Sequence, residues 1–112
     1  MERVVDVNGV KVPFKATAST TRKYRQQFGR DLLIDMQELT QTIGDGRTLT
    51  AGNLEAFENI AYTMARQADP SIPADPDEWL DQFDMFSIYQ IMPQLVELWG
   101  VSTSTLETSK KK

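Results

Sequence analysis

Val4-Val5-Asp6-Val7-Asn8-Gly9-Val10-Lys11-Val12 is the stretch on which the fold turns. Asn-Gly between two valine-rich runs is the strongest short-range hairpin signal, because both central residues of the tight turn need positive φ. A two-residue turn also fixes the register. It pairs Val7 with Val10, Val5 with Val12 and Arg3 with Phe14 on one face. The other face pairs Asp6 with Lys11, Val4 with Pro13 and Glu2 with Lys15. Apolar side chains meet on one side and opposite charges twice on the other, each pair worth about a few tenths of a kcal/mol. Pro13 places its own strand at an edge. Two strands alone are marginal in water. Val5, Val7, Val10 and Val12 are therefore expected to be buried, either in the domain or in a self-association interface.

Downstream of the hairpin the apolar period lengthens to that of helices. Thr17, Ser19, Thr20 and Thr21 offer caps for a short helix that Gly29 stops, with Tyr24 and Phe28 on its buried face. Asp31 opens a second helix to about Ile43, with Leu32, Met36, Leu39 and Ile43 as its core stripe. Thr50 or Asn53 opens a third over residues 54–68, where Leu54, Phe57, Ala61, Met64 and Ala68 line one side. Pro70, Pro73 and Pro76 make an extended connector, and Asp75-Pro76 starts a short helix carrying Trp79, Leu80 and Phe83. A last helix is expected over residues 87–99, with a kink or restart at Pro93 and a stop at Gly100. The expected architecture is mainly α, a small bundle of about five helices with an N-terminal β-hairpin. It forms one domain over residues 1–100, with the hairpin in 1–15 and the helices in 20–100, followed by a flexible tail over 101–112.

With 112 residues the chain can bury a real core without staples. It has no cysteine and no histidine. That removes disulfides, thiolate metal sites, the Ser-His-Asp triad and the usual general base, so no catalytic, metal or cofactor-binding residues are expected. The net charge of −4 is unevenly spread: residues 1–30 carry seven bases against two acids, and residues 31–109 carry two bases against fourteen acids. An acidic body opposes nucleic-acid binding, although Thr20-Thr21-Arg22-Lys23-Tyr24-Arg25 could touch phosphates; Arg22, Lys23 and Arg25 read equally as the solvated side of their helix or as a contact for the acidic C-terminal half of a neighbouring copy. No apolar run is long enough to span a bilayer, no signal-peptide core stands at the N-terminus, and the expected location is the cytoplasm.

Asp77, Glu78, Asp81 and Asp84 form the densest acidic cluster, which reads as a helix N-terminus with a solvated face, since the glycine and spacing of a calcium loop are missing. The run Met85-Phe86-Ser87-Ile88-Tyr89-Gln90-Ile91-Met92, with Leu95, Leu98 and Trp99, is wider than one core stripe needs. It makes either the central helix of the bundle or an adaptable groove in which Ile88, Ile91, Met92 and Leu95 would bind a partner helix.

Three stretches, two of them compact boxes, carry a resemblance. Tyr24-Arg25-Gln26-Gln27-Phe28-Gly29-Arg30-Asp31-Leu32-Leu33 is followed by Ile60-Ala61-Tyr62-Thr63-Met64-Ala65 and by Asp77-Glu78-Trp79-Leu80-Asp81-Gln82-Phe83-Asp84-Met85-Phe86. In this order they resemble the tail assembly chaperones of long-tailed bacteriophages and prophages, in the version common to phages of Gram-positive hosts. The resemblance implies a late, non-virion protein of the bacterial cytoplasm without enzymatic activity. It would coat and solubilise the tape measure protein, recruit major tail tube subunits, and leave as the tube polymerises; it is also compatible with a homo-oligomer, and calls for neither membrane nor nucleic acid. A structural virion protein, such as a tail completion or connector subunit, is the alternative, and a small nucleic-acid-binding regulator a more distant one. In many such phages a ribosomal frameshift near the gene's end appends a second domain. Lys110-Lys111-Lys112 implies adenine-rich codons on which such a slip is expected.

Overall fold

The computed structural model describes residues 2–97. Strands β1 (Glu2–Val7) and β2 (Val10–Lys15) form an antiparallel hairpin. Its register is the one read from the sequence, from Glu2 opposite Lys15 to Val7 opposite Val10. Asn8 and Gly9 both take positive φ, 51° and 89°, as the turn requires. Asp6 closes the turn by accepting the Gly9 N–H at 2.7 Å. That carboxylate is spent on the turn rather than on Lys11, and neither cross-strand charge pair closes to an ion pair.

Val5, Val7, Val12 and Phe14 are buried within the domain, whereas Val10 is 48% exposed and is the one of the four valines that the domain itself does not cover. The cause is position. α3 (Ala51–Ala68) packs on β2 and α5 (Ser87–Gln90) packs on β1, whereas Val10 follows the turn directly, at the tip, outside their cover.

Helices α1 (Thr20–Phe28) and α2 (Leu32–Gly44) form a tight corner. Gly29 ends α1 in the left-handed conformation at φ 68°, and its N–H reaches the Arg25 carbonyl at 2.8 Å. Two residues on, Asp31 caps α2 by accepting from the N–H groups of Leu33 and Ile34 at 3.0 and 3.2 Å. The buried face of α2 is Leu32, Asp35, Met36, Leu39 and Thr42; Ile43 lies outside it. Thr42 stays inside because its hydroxyl donates to the Glu38 carbonyl at 2.8 Å, four residues back.

α3 is the central element. Thr50 and Asn53 cap it reciprocally: the Thr50 hydroxyl accepts the Asn53 N–H, and the Asn53 side chain accepts the Thr50 N–H. Residues 60–65 are all buried, as expected for a helix covered on every side, here by β2, α1, α2 and α4 (Pro76–Leu80). The proline connector folds back over it, with the Tyr62 hydroxyl donating to the Pro73 carbonyl at 2.6 Å. α4 starts as the sequence indicates, with Asp75 as cap and Pro76 in the first turn.

The last helix is two pieces. α5 stops at Gln90, Ile91 is a turn, and residues 92–97 are helical again as α6. The restart falls just before Pro93, so the missing N–H lies in a first turn, where no helical partner is needed. Trp99, Gly100, the 101–112 tail and Lys110–Lys112 lie outside the described residues. Among the described residues no helix is long and apolar enough to cross a membrane.

Candidate functional site

The residues expected to form a partner groove are core residues. Ile88, Ile91, Met92 and Leu95 are all buried, in one cluster with the hairpin valines. The break ahead of Pro93 lets α5 and α6 each turn an apolar side inward, with α5 on β1. Ile88, Ile91, Met92 and Leu95 are therefore spent on packing, and a surface groove at these four positions is absent. The apolar residues left outside lie just before them: Met85 is 77% and Phe86 69% exposed. They follow Asp84, which accepts a hydrogen bond from the Asn8 side chain at 3.0 Å and ties this loop to the hairpin tip. Leu33 and Ile34 on α2 are exposed as well.

The boxes that carry the family resemblance turn out to hold the scaffold together. An aromatic row crosses three helices: Tyr24 to Phe28 at 5.2 Å between ring centroids, Phe28 to Tyr62 at 6.4 Å, Tyr62 to Trp79 at 5.9 Å and Trp79 to Phe83 at 5.1 Å. Tilted and edge-on pairs of this kind add about 0.5–1.5 kcal/mol each beyond their buried area. Tyr62, from the middle segment, joins the first box to the last.

Beside that row lies a buried polar lock. The Asp35 carboxylate accepts from the Tyr24 hydroxyl at 2.7 Å and from Arg30 Nε and Nη2 at 2.9 and 2.8 Å. Asp35 is only 3% exposed, while the Arg30 side chain is 59% exposed. The Arg30 hydrogen bonds hold the carboxyl below its usual range against the opposing effect of burial. Burial, followed by the bond to Asp35, pushes the Tyr24 phenol up. An acid inside an apolar helical stripe (Leu32, Asp35, Met36, Leu39) was a readable sign of such a lock, and Arg30 five residues earlier was its partner. A second phenol, Tyr89, donates to Glu58 on α3, and that bond raises its pKa to about 12.

Asp77, Glu78, Asp81 and Asp84 are exposed, and no group of three or more metal-ligating side chains occurs among the described residues. Arg22, Lys23 and Arg25 are exposed on α1.

A concavity of about 640 Å³ lies where the end of β2, α1 and α3 meet. Lys15 and Pro70 belong to its lining, with buried Tyr62 and Thr63. Lys23, Gln26 and Gln27 line it from α1, and Thr63, Arg66 and Gln67 from α3. Each set sits at i, i+3, i+4, the spacing that puts three side chains on one helix face. Three cations and no acid line this groove, although the chain holds more acids than bases. Its α1 wall is fixed to α3 by Thr20, whose hydroxyl bonds the Gln67 side chain, and Thr20 Oγ1 also accepts the Thr17 N–H at 2.8 Å. Sequence reading found Lys23 as a surface base but could not join it to Lys15 and Arg66, which only the tertiary fold brings together. Compared with protein-family models, with characterised proteins and with solved structures, the chain matches none.

Proposed function

We propose that this protein is a non-enzymatic assembly factor, a tail assembly chaperone of a long-tailed bacteriophage or prophage, working in the bacterial cytoplasm. It would bind the tape measure protein, hold it soluble, and recruit major tail tube subunits to it. The observation that carries the reading is the ordered pair of boxes, Tyr24 to Asp31 and Glu78 to Phe83, running with Tyr62 through a single aromatic row. Two features support a contact role. The exposed Met85 and Phe86 offer adaptable apolar area of the kind that a helical client needs. Leu33 and Ile34 offer more on α2. The small helical bundle with its hairpin is then a rigid carrier for such surfaces.

Mass spectrometry of the encoding phage tests this reading. The protein should be abundant in late lysates and absent from purified virions. Stoichiometric recovery from virions would instead identify a structural tail subunit.

A further inference from the structure

The groove between α1 and α3 is charged opposite to most of the molecule. Lys15, Lys23 and Arg66 reach it, and none of them has a carboxylate within ion-pair distance among the described residues. The ion pairs that do form, Arg30 with Asp35 and Arg47 with Asp45, lie elsewhere. Leaving three cations unpaired on one concave face of an acidic chain creates a local field that attracts anions.

We propose that this groove docks an acidic, extended segment of a partner protein. Charge complementarity names the sign of the occupant, and the remaining lining names its kind. The Arg66 guanidinium is a planar fork suited to a carboxylate, and the two lysines are mobile point charges at the rim. Gln26 has no partner among the described residues, so its amide can both donate to and accept from a peptide backbone. Gln67 is already held by Thr20 and Ser19, so that side of the groove is ordered before anything binds.

Nucleic acid fits less well. A phosphate backbone needs a continuous basic track, and here the track is short. Gln27 is already engaged, donating to the Ala74 carbonyl at 3.2 Å, so the α1 side of the track is interrupted by a neutral, occupied side chain. The proposal stands independently of the tail-assembly reading.

Fluorescence anisotropy tests it on the full chain with three probes: a labelled peptide alternating Glu and Ala, the same peptide with Gln for Glu, and a thymidine oligonucleotide of matching charge. The Glu peptide should bind, and binding should weaken steeply with salt and fall about tenfold or more in K15E/K23E. Both lysines are exposed, so the variant should keep its circular dichroism; R47E, away from the groove, should bind as the parent does. Equal binding of the Gln peptide, tighter binding of the oligonucleotide, or no binding of the Glu peptide at low salt would each overturn the proposal. So would a self-association, seen by sedimentation, that K15E/K23E abolishes, since the groove would then serve a second copy.

Discussion

Replacing Asp35 by Asn keeps the shape of the side chain and removes its charge. In the parent, one carboxylate that is 3% exposed accepts three hydrogen bonds, two from Arg30 and one from the Tyr24 hydroxyl. An Asn can accept with one oxygen only, and its amide NH2 would face a guanidinium that cannot accept. Arg30 can turn to water because its side chain is already mostly exposed. The Tyr24 ring cannot turn away, because it is buried and packed on Phe28. The loss at the Asp35 site is thus that of charge-assisted bonds to a buried carboxylate, about 2–3 kcal/mol. For a chain of this length that is a fall in Tm of roughly 10 °C. Urea denaturation followed by circular dichroism at pH 7 reads it directly. The pH profile supplies an independent check. Asp35 titrates lower when folded, so its contribution is complete above the ordinary carboxylate range of about 4 and is lost as pH falls through the depressed folded value. D35N should therefore show a flatter acid limb than the parent. A variant within about 0.5 kcal/mol of the parent at pH 7, with an unchanged acid limb, would refute the lock.

Three further substitutions probe other joints. V12D puts an unpaired charge where β2 meets α3 and should cost about 3–5 kcal/mol or unfold the domain, whereas V10D at the exposed tip should be nearly neutral in a melting experiment. G29A meets no neighbouring atom within 4 Å, so its cost is the left-handed backbone alone, about 1 kcal/mol by urea titration, with Asn tolerated better than Ala. The raised Tyr89 pKa stabilises the fold fully below the unfolded phenol value of about 10 and is lost as pH rises through about 12, so Y89F should flatten the alkaline limb of stability.

Local signals were the legible ones. The Asn8-Gly9 turn, the Asp31 cap and the Asp75-Pro76 start each depend on a few adjacent residues and appear as read, while Thr50 and Asn53, read as alternative caps, act together as one box. Long-range choices were not. Whether Ile88, Ile91, Met92 and Leu95 face a partner or the core depends on what the tertiary fold places against them, and periodicity alone cannot say. Val10 has the same character as Val12 but not the same cover. The basic groove was invisible for a related reason, since Lys15, Lys23 and Arg66 lie far apart in the chain and share a wall only after α1 has packed on α3. The aromatic boxes occupied a middle ground: their residues stood out, but their common row through Tyr62 needed the fold.

The central claim, that the protein is a carrier for an aggregation-prone helical client, is tested most directly by co-expression. The tape measure protein of the encoding phage is produced with the parent chain, with an M85S/F86S variant, and with an empty vector, and its soluble fraction is measured. The account predicts a soluble, co-purifying tape measure protein with the parent and an insoluble one with the vector. It also predicts loss of rescue in M85S/F86S, whose fold should persist because both side chains are exposed. A tape measure protein equally insoluble with and without the parent chain would contradict it.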